Sequence, residues 1–373
     1  MLLAYQIFFL IVYLCSEAKE EKETQEDEYR FAVIIPAHNE EKVIDQALMH
    51  CLDLAYPKRK YDVYVVADNC TDRTKIIAER FQGVRILERV DKRKVGKPYA
   101  LEYAFKHIDV SSVDAVVVLD ADSIVAPNFL TVMSRKLKRN YRAIQARNEI
   151  SNWDRNMFTY VMAVGNVIVN SFLFAPRSRL GLNCFILGTG YCLHKSLLPL
   201  FSKDQYSISE DIELTFELVR RNVHIEFAEN TWVKALQPTS MGGATSQRIR
   251  WGSGTFLLMV RHLRSSIRDL LENPNIRGLD KILLVLIWCK PLMILECFAL
   301  LTASIVLSIW TVAAAALFMT QMLYYAFPVV ILKRYHLAWR AVFRFPVVLG
   351  WVLAIQILNI AGFKKNSWTR TKR

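Results

Sequence analysis

The sequence contains few of the patterns that hold a metal cluster or a disulfide scaffold. Its seven cysteines are an odd number, and no two of them stand at C-x-x-C spacing or near histidines at zinc-ligand spacing. Buried, reduced thiols are the simplest interpretation. This lack excludes a zinc-binding module and a small secreted domain cross-linked by disulfides.

Charged residues are scarce in two long stretches. The only charged residues in the stretch 282–332 are Lys290 and Glu296. This stretch is long enough for two membrane spans of about 20 residues each. Residues 345–363 predict a third span. The first 15 residues are also uncharged, without the basic start and small-residue cleavage site of a signal peptide. We therefore expect an uncleaved anchor there, with a cleaved signal peptide as the alternative.

Positive charge is abundant elsewhere, with a formal net charge of +13 and a pI of about 9.4. An excess of positive charge can indicate binding to nucleic acid, to anionic lipid headgroups or to an anionic substrate such as a diphosphate. The net charge alone does not distinguish these partners. The basic residues adjoin apolar stretches, which favours a membrane surface and no nucleic-acid partner. The ones that decide this are Arg248, Arg250, Arg261, Arg264, Arg268 and residues 364–373.

From Phe31 onward, short apolar runs alternate with segments of helical periodicity. The predicted strands cover residues 31–35, 61–67, 84–87 and 113–119, and the predicted helices cover residues 43–54, 72–81 and 98–107. This alternation predicts an open α/β sheet that binds its ligands at the carboxyl ends of the strands.

The predicted domain organisation follows these changes in composition. After Trp251, apolar residues recur at three- and four-residue steps with arginines between them, which predicts an amphipathic helix on a membrane. A helix facing the core of the α/β domain is the alternative. The predicted parts are an anchor (1–16), an acidic linker (17–30), a catalytic α/β domain (31–251), an amphipathic interfacial helix (252–280), a transmembrane region (281–363) and a basic tail (364–373).

Two carboxylates, Asp120 and Asp122, directly follow the predicted strand that ends at Leu119. Residues two apart point to the same side of an extended chain, so both can face a hard divalent cation and its diphosphate. A D-x-D pair by itself also occurs on ordinary surfaces. Its position at a strand end favours the metal site.

Three further motifs stand at a strand end or a helix start, where an α/β sheet binds nucleotides. They are Pro36-Ala37-His38-Asn39-Glu40, Asp68-Asn69-Cys70-Thr71-Asp72 and Gly96-Lys97-Pro98. A carboxylate such as Asp68 can accept from a pyrimidine N–H, and Lys97 can meet phosphate. Each motif alone could be an ordinary turn or cap. Their ordered succession favours a nucleotide site.

Three downstream motifs complete the pattern. Gly188-Thr189-Gly190 permits close backbone approach to a ligand. Ser209-Glu210-Asp211 begins a predicted helix, where Asp211 could also be a capping acid. Gln247-Arg248-Ile249-Arg250-Trp251 places an aromatic platform beside cations that could neutralise a leaving diphosphate, or could lie at a membrane surface.

Taken together, these motifs resemble the D, D, D, Q-x-x-R-W pattern of the family-two glycosyltransferases, in the branch that includes cellulose, chitin, hyaluronan and poly-N-acetylglucosamine synthases and ceramide glucosyltransferase. The residues that match are residues 36–40, Asp68, Asp120-x-Asp122, Glu210-Asp211 and Gln247-x-x-Arg250-Trp251. The resemblance covers residues 31–251 and implies an α/β domain of GT-A fold, with an N-terminal anchor and C-terminal transmembrane helices. It also implies a cytoplasmic active site, a UDP-sugar donor and Mg²⁺ or Mn²⁺.

The family pattern also assigns roles to residues. It places uridine on Asp68 and Asp120, the metal on Asp122 and the general base on Asp211. The other donor-binding residues are Pro36, Ala37, Asn39, Glu40, Lys97, Gln247 and Arg250, and the acceptor side comprises Gly188, Thr189, Gly190, Glu210 and Trp251. A single displacement by an activated hydroxyl would invert the anomeric centre and form a β-linkage.

Three departures from the family pattern leave the sugar and processivity open. The second motif reads Asp68-Asn69-Cys70, the glycine segment reads Leu187-Gly188-Thr189-Gly190, and one apolar segment precedes the catalytic domain. We expect a glucose- or N-acetylglucosamine-type sugar and a polysaccharide or lipid-linked acceptor. Processive synthesis and single transfer to a lipid both remain open.

Two other functions are weaker alternatives. A sugar nucleotidyltransferase needs neither membrane spans nor the Q-x-x-R-W motif. A catalytically silent membrane scaffold that binds UDP-sugar would not need Asp211 or Trp251, and both are present. A transporter is excluded because too few spans remain to build inverted repeats.

Overall fold

The chain forms two compact units in the computed structural model, which describes residues 2–17, 29–201, 209–272, 276–287, 290–333, 336, 338–340 and 345–360. The sheet unit comprises Ser16–Ser151 and Phe174–Gln237, and the helical unit comprises Met1–Cys15, Asn152–Leu173 and Pro238–Arg373. The predicted basic tail, and all but a few residues of the predicted acidic linker, lie outside the described residues.

One mixed sheet organises the described part of the sheet unit. Its strands are β1 (Phe31–Ala37), β2 (Tyr61–Asp68), β3 (Val84–Arg89), β4 (Ala115–Val118), β5 (Ser123–Val125), β6 (Ala143–Ile150), β7 (Tyr191–His194) and β8 (Ile225–Ala235). They lie in the order β3-β2-β1-β4-β7-β6-β8-β5. The first four in this order are parallel, so their carboxyl ends share one edge. β7 then runs antiparallel to both β4 and β6.

Helices lie between most of the strands and make up most of the helical unit. In chain order they are α1 (Leu2–Cys15), α2 (Ile44–Leu52), α3 (Thr74–Ala78), α4 (Lys97–His107), α5 (Phe129–Lys138), α6 (Met157–Val167), α7 (Ala175–Arg179), α8 (Glu210–Arg220), α9 (Met241–Glu272), α10 (Ile276–Ile287), α11 (Lys290–Val306), α12 (Thr311–Leu332) and α13 (Phe345–Ile360).

The parallel half of the sheet confirms the predicted α/β alternation. β1 and β4 are apolar throughout, and the four residues of β4 are completely buried. A strand covered on both faces needs no polar alternation, which is why these runs are continuously apolar. Each predicted strand overlaps an observed one, although β3 extends two residues beyond its predicted end, to Arg89.

The other half of the sheet was not predicted. β5 and β7 have only three and four residues, which is too short for a clear hydrophobic period. β6 and β8 pair over eight positions with a bulge between Ala146 and Arg147, although some 80 residues separate them in the chain. Long-range pairing of this kind leaves no local pattern in the sequence.

In the helical unit, α1 is tied to later helices by polar contacts. Gln321 Nε2 on α12 donates to Gln6 Oε1 at 3.2 Å, and both residues are buried. Tyr5 donates its hydroxyl hydrogen to Asp280 Oδ1 on α10 at 2.6 Å. Loss of α1 would leave these buried or half-buried groups without these contacts. The uncleaved anchor stays a prediction.

Among the described helices, two are long and apolar enough to cross a membrane. One is α12, of which only 17% is buried over its most apolar window. The other covers Met157–Arg179, where a π-helical segment, Ile168–Phe174, joins α6 to α7. Its most apolar window is 61% buried, and it was not predicted from the sequence. The predicted tract 282–332 divides into part of α10, then α11 and α12, while the predicted third span corresponds to α13 with residues 361–363 outside the described part.

The units divide the chain differently from the predicted domains. Residues 152–173 belong to the helical unit because Tyr160 packs in a cluster with Ala338, and Phe172 packs in another with Tyr324. The long helix α9 begins at Met241 and ends at Glu272, so the predicted boundary between residues 251 and 252 falls inside one continuous helix.

Candidate active site

The loops that follow β1 and β2 are joined by one asparagine. Asn39, at the left-handed angle φ = 58°, accepts from the backbone N–H groups of Thr71 and Asp72 through Oδ1, at 2.7 and 3.2 Å. Asparagine tolerates this backbone conformation better than most residues. The predicted donor residue Asn39 therefore supports the loop that begins at Asp68.

The remaining residues of the first motif lie on the same edge. Pro36 and Ala37 end β1, and Ala37 is buried. Glu40 is half-buried, and its backbone N–H donates to Thr74 Oγ1 at 2.7 Å. His38 Nδ1 lies 2.7 Å from the Asp68 carbonyl oxygen. Their roles in donor binding stay predictions.

Asp68 is buried in an ion pair with Arg89, its register partner on β3. Arg89 Nη1 donates to Asp68 Oδ1 at 2.6 Å, with the two side chains only 7% and 6% exposed. Asn69 Nδ2 donates to the same oxygen at 2.9 Å. Burial raises the pKa of Asp68, and the ion pair with Arg89 offsets this only in part.

Substituting Arg89 tests the importance of this pair. We expect Arg89→Met to lower the free energy of unfolding by about 3–5 kcal/mol, because it leaves the Asp68 carboxylate buried without its cation. Arg85→Met is the matched control on the same strand, since Arg85 pairs with Asp62 while 61% exposed and should cost less than about 1 kcal/mol. Thermal unfolding of both purified variants measures the difference, and equal losses would contradict the expectation.

Lys97 connects two of the predicted motifs. It begins α4 directly after Gly96, whose φ of 128° favours glycine. Its Nζ donates to Asp120 Oδ1 at 2.5 Å and to the Gly188 carbonyl oxygen at 2.6 Å. Burial lowers the pKa of Lys97, but nearby carboxylates, Asp120 foremost, outweigh this and raise it. Lys97 is therefore a fixed cation between the D-x-D motif and the glycine segment.

The D-x-D motif lies where the sequence predicts it, directly beyond β4. The Asp120 side chain is 41% exposed, while Asp122 is only 8% exposed. No group of three or more histidine, cysteine or acidic side chains that could bind a metal occurs among the described residues. A cation at Asp122 would therefore complete its oxygen ligands from a bound diphosphate and water, as Mg²⁺ commonly does. The residues present fit such a cation.

The glycine segment packs against the D-x-D motif. Thr189 is 3% exposed, and its Oγ1 accepts from the Asp120 backbone N–H at 3.0 Å and lies 3.0 Å from Ser123 Oγ. Gly190 donates its N–H to Val118 and accepts from Ala146. The geometry thus supports a positioning role for Thr189 and Gly190, while their contact with an acceptor stays a prediction.

Gly190 is required sterically as well as by its backbone angle. At φ = 70°, an added Cβ would lie 2.4 Å from Val233 Cγ1. Gly181 has nearly the same angle, 71°, with nothing within 4 Å of its Cβ position. We expect Gly181→Ala to cost about 1–2 kcal/mol of unfolding free energy, and Gly190→Ala about 1–3 kcal/mol more. Thermal unfolding compares the two, and a similar loss in both would show that the Val233 contact relaxes.

Glu210 and Asp211 begin α8, as predicted, and the positive charge of Lys97 interacts with both carboxylates. Burial and then the Asp211 charge raise the pKa of Glu210 to about 7, with Lys97 opposing. Burial also raises the pKa of Asp211, whose Oδ1 accepts from the Ile212 backbone N–H at 2.8 Å. A Cβ on Gly188 would lie 3.3 Å from Asp211 Oδ2, so glycine leaves space in front of this carboxylate.

The Q-x-x-R-W motif lies on α9 in the helical unit. Gln247 is buried at 3% exposure. The side chains of Arg250 and Trp251 lie outside the described part of the structure. The donor and acceptor roles of these three residues stay predictions.

The sequence analysis did not identify Arg89 or Gln145 as important. Arg89 lies two residues beyond the predicted end of its strand and opposite Asp68. A longer predicted strand would have placed it at the carboxyl edge of the sheet, beside Asp68. Gln145 lies on β6, and its side-chain amide bonds to the glycine segment 42–44 residues away. No local pattern in the sequence indicates the contact between Gln145 and the glycine segment.

Comparison with known proteins places this geometry in a family. The chain is 26% identical over 252 residues to the probable glycosyltransferase YdaM of Bacillus subtilis, covering 65% of this chain and 59% of that protein. It is 26% identical over 231 residues to a beta-monoglucosyldiacylglycerol synthase of Nostoc sp., covering 60% and 48%. It is 24% identical over 239 residues to a poly-beta-1,6-N-acetyl-D-glucosamine synthase of Staphylococcus epidermidis, covering 63% and 57%. The chain thus spans about half the length of these relatives.

The fold also matches a solved structure. The mannosyltransferase PcManGT from Pyrobaculum calidifontis, in complex with GDP-Man and Mn²⁺, aligns with a TM-score of 0.61 at 18% identity, over 98% of this chain and 100% of that one. This likeness confirms the predicted GT-A-like α/β fold. Residues 29–254, more than half of the chain, match the family described as "Glycosyltransferase like family 2". The chain therefore belongs to this family of glycosyltransferases.

Proposed function

We propose that this chain is a membrane-bound, metal-dependent, inverting glycosyltransferase. It moves a glucose- or N-acetylglucosamine-type sugar from a UDP-sugar to a polysaccharide or lipid-linked acceptor and forms a β-linkage. The main supporting observation is the contact series through Lys97, which bonds to both Asp120 and Gly188, while Gly188 in turn leaves space beside Asp211. The donor motif and a candidate base are thereby held around one cation.

The transfer step uses groups already in place. Asp211 takes the proton of the acceptor hydroxyl as the new C–O bond forms at the anomeric carbon and the bond to the diphosphate breaks. A raised pKa makes this carboxylate a stronger base. Lys97 stays positively charged and stabilises the negative charge that develops on the leaving diphosphate. Attack opposite the leaving group inverts the anomeric centre.

A divalent cation would be held by Asp122 together with the donor diphosphate. Bound Mg²⁺ or Mn²⁺ would neutralise charge on the leaving group. Asp120 is meanwhile kept in place by the Lys97 ammonium and by the Thr189 hydroxyl on its backbone N–H. Donor orientation at this edge thus depends on the chain's own contacts.

The geometry at Asp68 supports uridine over guanosine as the donor nucleoside. Within the described part of the chain, both hydrogen bonds to this carboxylate go to Oδ1, from Arg89 and Asn69. Oδ2 is therefore the carboxylate oxygen that remains to accept from the base. Uracil presents a single N–H between two carbonyls, whereas guanine presents two adjacent N–H donors that pair best with both oxygens of a carboxylate.

Membrane attachment is supported by apolar surface in the helical unit. α12 exposes large apolar side chains along its length, such as Val312 at 86% and Leu323 at 65%. An apolar surface of this kind suits lipid rather than water. We place the sheet unit on the cytoplasmic side, as the family resemblance implies.

Deletion of the first 16 residues tests where the anchor lies. We expect the truncated protein to partition with membranes, because α11, α12 and α13 keep their apolar surfaces. Flotation of membranes on a density gradient measures this, with the full chain as the reference. Recovery of the truncated protein as a soluble monomer without detergent would contradict a C-terminal anchor.

A donor panel tests the proposed reaction. Purified protein in detergent or lipid is incubated with UDP-glucose, UDP-N-acetylglucosamine, UDP-galactose and GDP-mannose, and nucleotide release is measured with glycan and with diacylglycerol acceptors. Mass and anomeric analysis of the product then distinguishes a polymer from a single-sugar lipid. We expect release from one UDP-sugar and a β-linked product. Donor binding without turnover would favour the silent scaffold instead.

A further inference from the structure

Gln145 is a buried amide with all of its donor hydrogens in use. It lies on β6 with no exposed surface. Its Nε2 donates to the carbonyl oxygens of Thr189 and Ala146, each at 2.9 Å, and its Oε1 accepts from the Leu187 backbone N–H at 2.8 Å. One side chain thus holds the segment 187–190 on both sides of Gly188.

The segment held in this way contacts each reactive part of the candidate site. Thr189 Oγ1 accepts from the Asp120 N–H, and the Gly188 carbonyl accepts from Lys97. A Cβ on Gly188 would lie 3.3 Å from Asp211 Oδ2. A shift of this segment would therefore change the space between the candidate base and the donor motif.

We propose that Gln145 is a positioning residue for sugar transfer. It touches no substrate, because it is completely buried, and acts by fixing the backbone of Leu187 and Thr189. The distance between Gly188 and Asp211 follows from that backbone, and in the proposed reaction the acceptor hydroxyl approaches Asp211 on the side where Gly188 leaves space. This inference rests on the proposed transfer reaction.

Gln145→Leu removes the hydrogen bonds of this side-chain amide at nearly unchanged volume. We expect kcat for transfer to fall by about 10- to 100-fold, since a displacement of about 1 Å in a reacting group has effects of this size. Donor affinity should change by less than about threefold, because the bonds between Arg89 and Asp68 and between Lys97 and the Asp120 carboxylate do not involve residues 187–190. Transfer kinetics and UDP binding by calorimetry are measured on the same folded sample.

Gln145→Glu provides a second, pH-dependent readout. A protonated carboxylic acid can donate to the Thr189 carbonyl and accept from Leu187 N–H, as the amide does. An ionised carboxylate would be repelled by the two carbonyl oxygens that it faces, so this contact would be lost. Burial also favours the protonated form of the acid. Activity of this variant relative to wild type should therefore rise as the pH falls from about 8.5 to about 6. Gln145→Leu should show no such recovery.

Gln321→Leu is the matched control, since it removes an equally buried amide from α12. Its transfer rate should equal that of wild type. The positioning role is overturned if Gln145→Leu keeps kcat within about threefold, if donor affinity falls as much as kcat, or if the Gln145→Glu ratio does not change with pH. Absence of transfer by the wild type would count against the proposed function itself, whereas active wild type with unimpaired variants counts against Gln145 alone.

Discussion

Replacing Asp211 with asparagine should lower sugar transfer by ~10²-fold or more, the scale expected for loss of a general base. A carboxylate beside the acceptor hydroxyl can take its proton as the C–O bond forms, and an amide of nearly the same shape cannot. The loss should appear in kcat, with the KM for the donor little changed. Steady-state kinetics and UDP-sugar binding by calorimetry separate the two effects.

A purely capping role for Asp211 makes the opposite prediction. Asparagine stabilises a helix start nearly as well as aspartate, so activity would then survive. Glu213→Gln is the matched control, because Glu213 lies in the same first turn of α8 and should leave transfer unchanged. If transfer by Asp211→Asn stays within about threefold of wild type, about 0.6 kcal/mol in the barrier, the base assignment is wrong. Glu210 then becomes the candidate.

Replacing Asp122 with alanine should abolish the metal-dependent part of donor binding and reduce turnover to background. The buried carboxylate is the predicted ligand of Mg²⁺ or Mn²⁺, and a diphosphate without its cation is repelled by the neighbouring Asp120, Glu210 and Asp211. UDP titrations with Mn²⁺, with Mg²⁺ and with chelator measure this for both proteins. The variant should bind UDP equally weakly under all three conditions.

The control for Asp122 is an acidic residue remote from the motif. Asp109 is exposed and accepts from the Ser111 backbone N–H at 3.0 Å, and Asp109→Ala should retain the full response to metal. Chelator that leaves UDP affinity unchanged in the wild type would show that the reaction needs no metal. In that case Lys97 would be the main counter-charge for the diphosphate.

Much of the ligand edge was predictable because it is local in the sequence. A continuously apolar strand followed directly by polar residues identifies both the strand and its end, as at β4 and Asp120. The carboxyl ends of parallel strands lie at one edge of the sheet, so Asp68 and Asp120 had to lie at the same edge. The start of α8 was equally local, with Ser209 before three acidic residues in the first turn.

The partners of these residues were not predictable. Arg89 became the partner of Asp68 only through the register of β2 and β3. Lys97 was predicted to meet phosphate, but its bonds to Asp120 and Gly188 join residues 23 and 91 positions away in the chain. The antiparallel strand β7, which directly follows the glycine segment and pairs with β4, gave no periodic pattern because it has only four residues.

The sequence by itself determined the alternation of strands and helices and the order of the motifs along the chain, and the family was indicated by the resemblance of those motifs to a known pattern. These depend on apolar period, strand-end polarity and residue type, all of which act over a few neighbouring residues. Only the tertiary structure decided which groups face each other, such as Gln145 and the segment 187–190, or Gly188 and Asp211. The physical reason is that strand register and loop packing are set by close contacts between distant segments, which composition and periodicity do not encode.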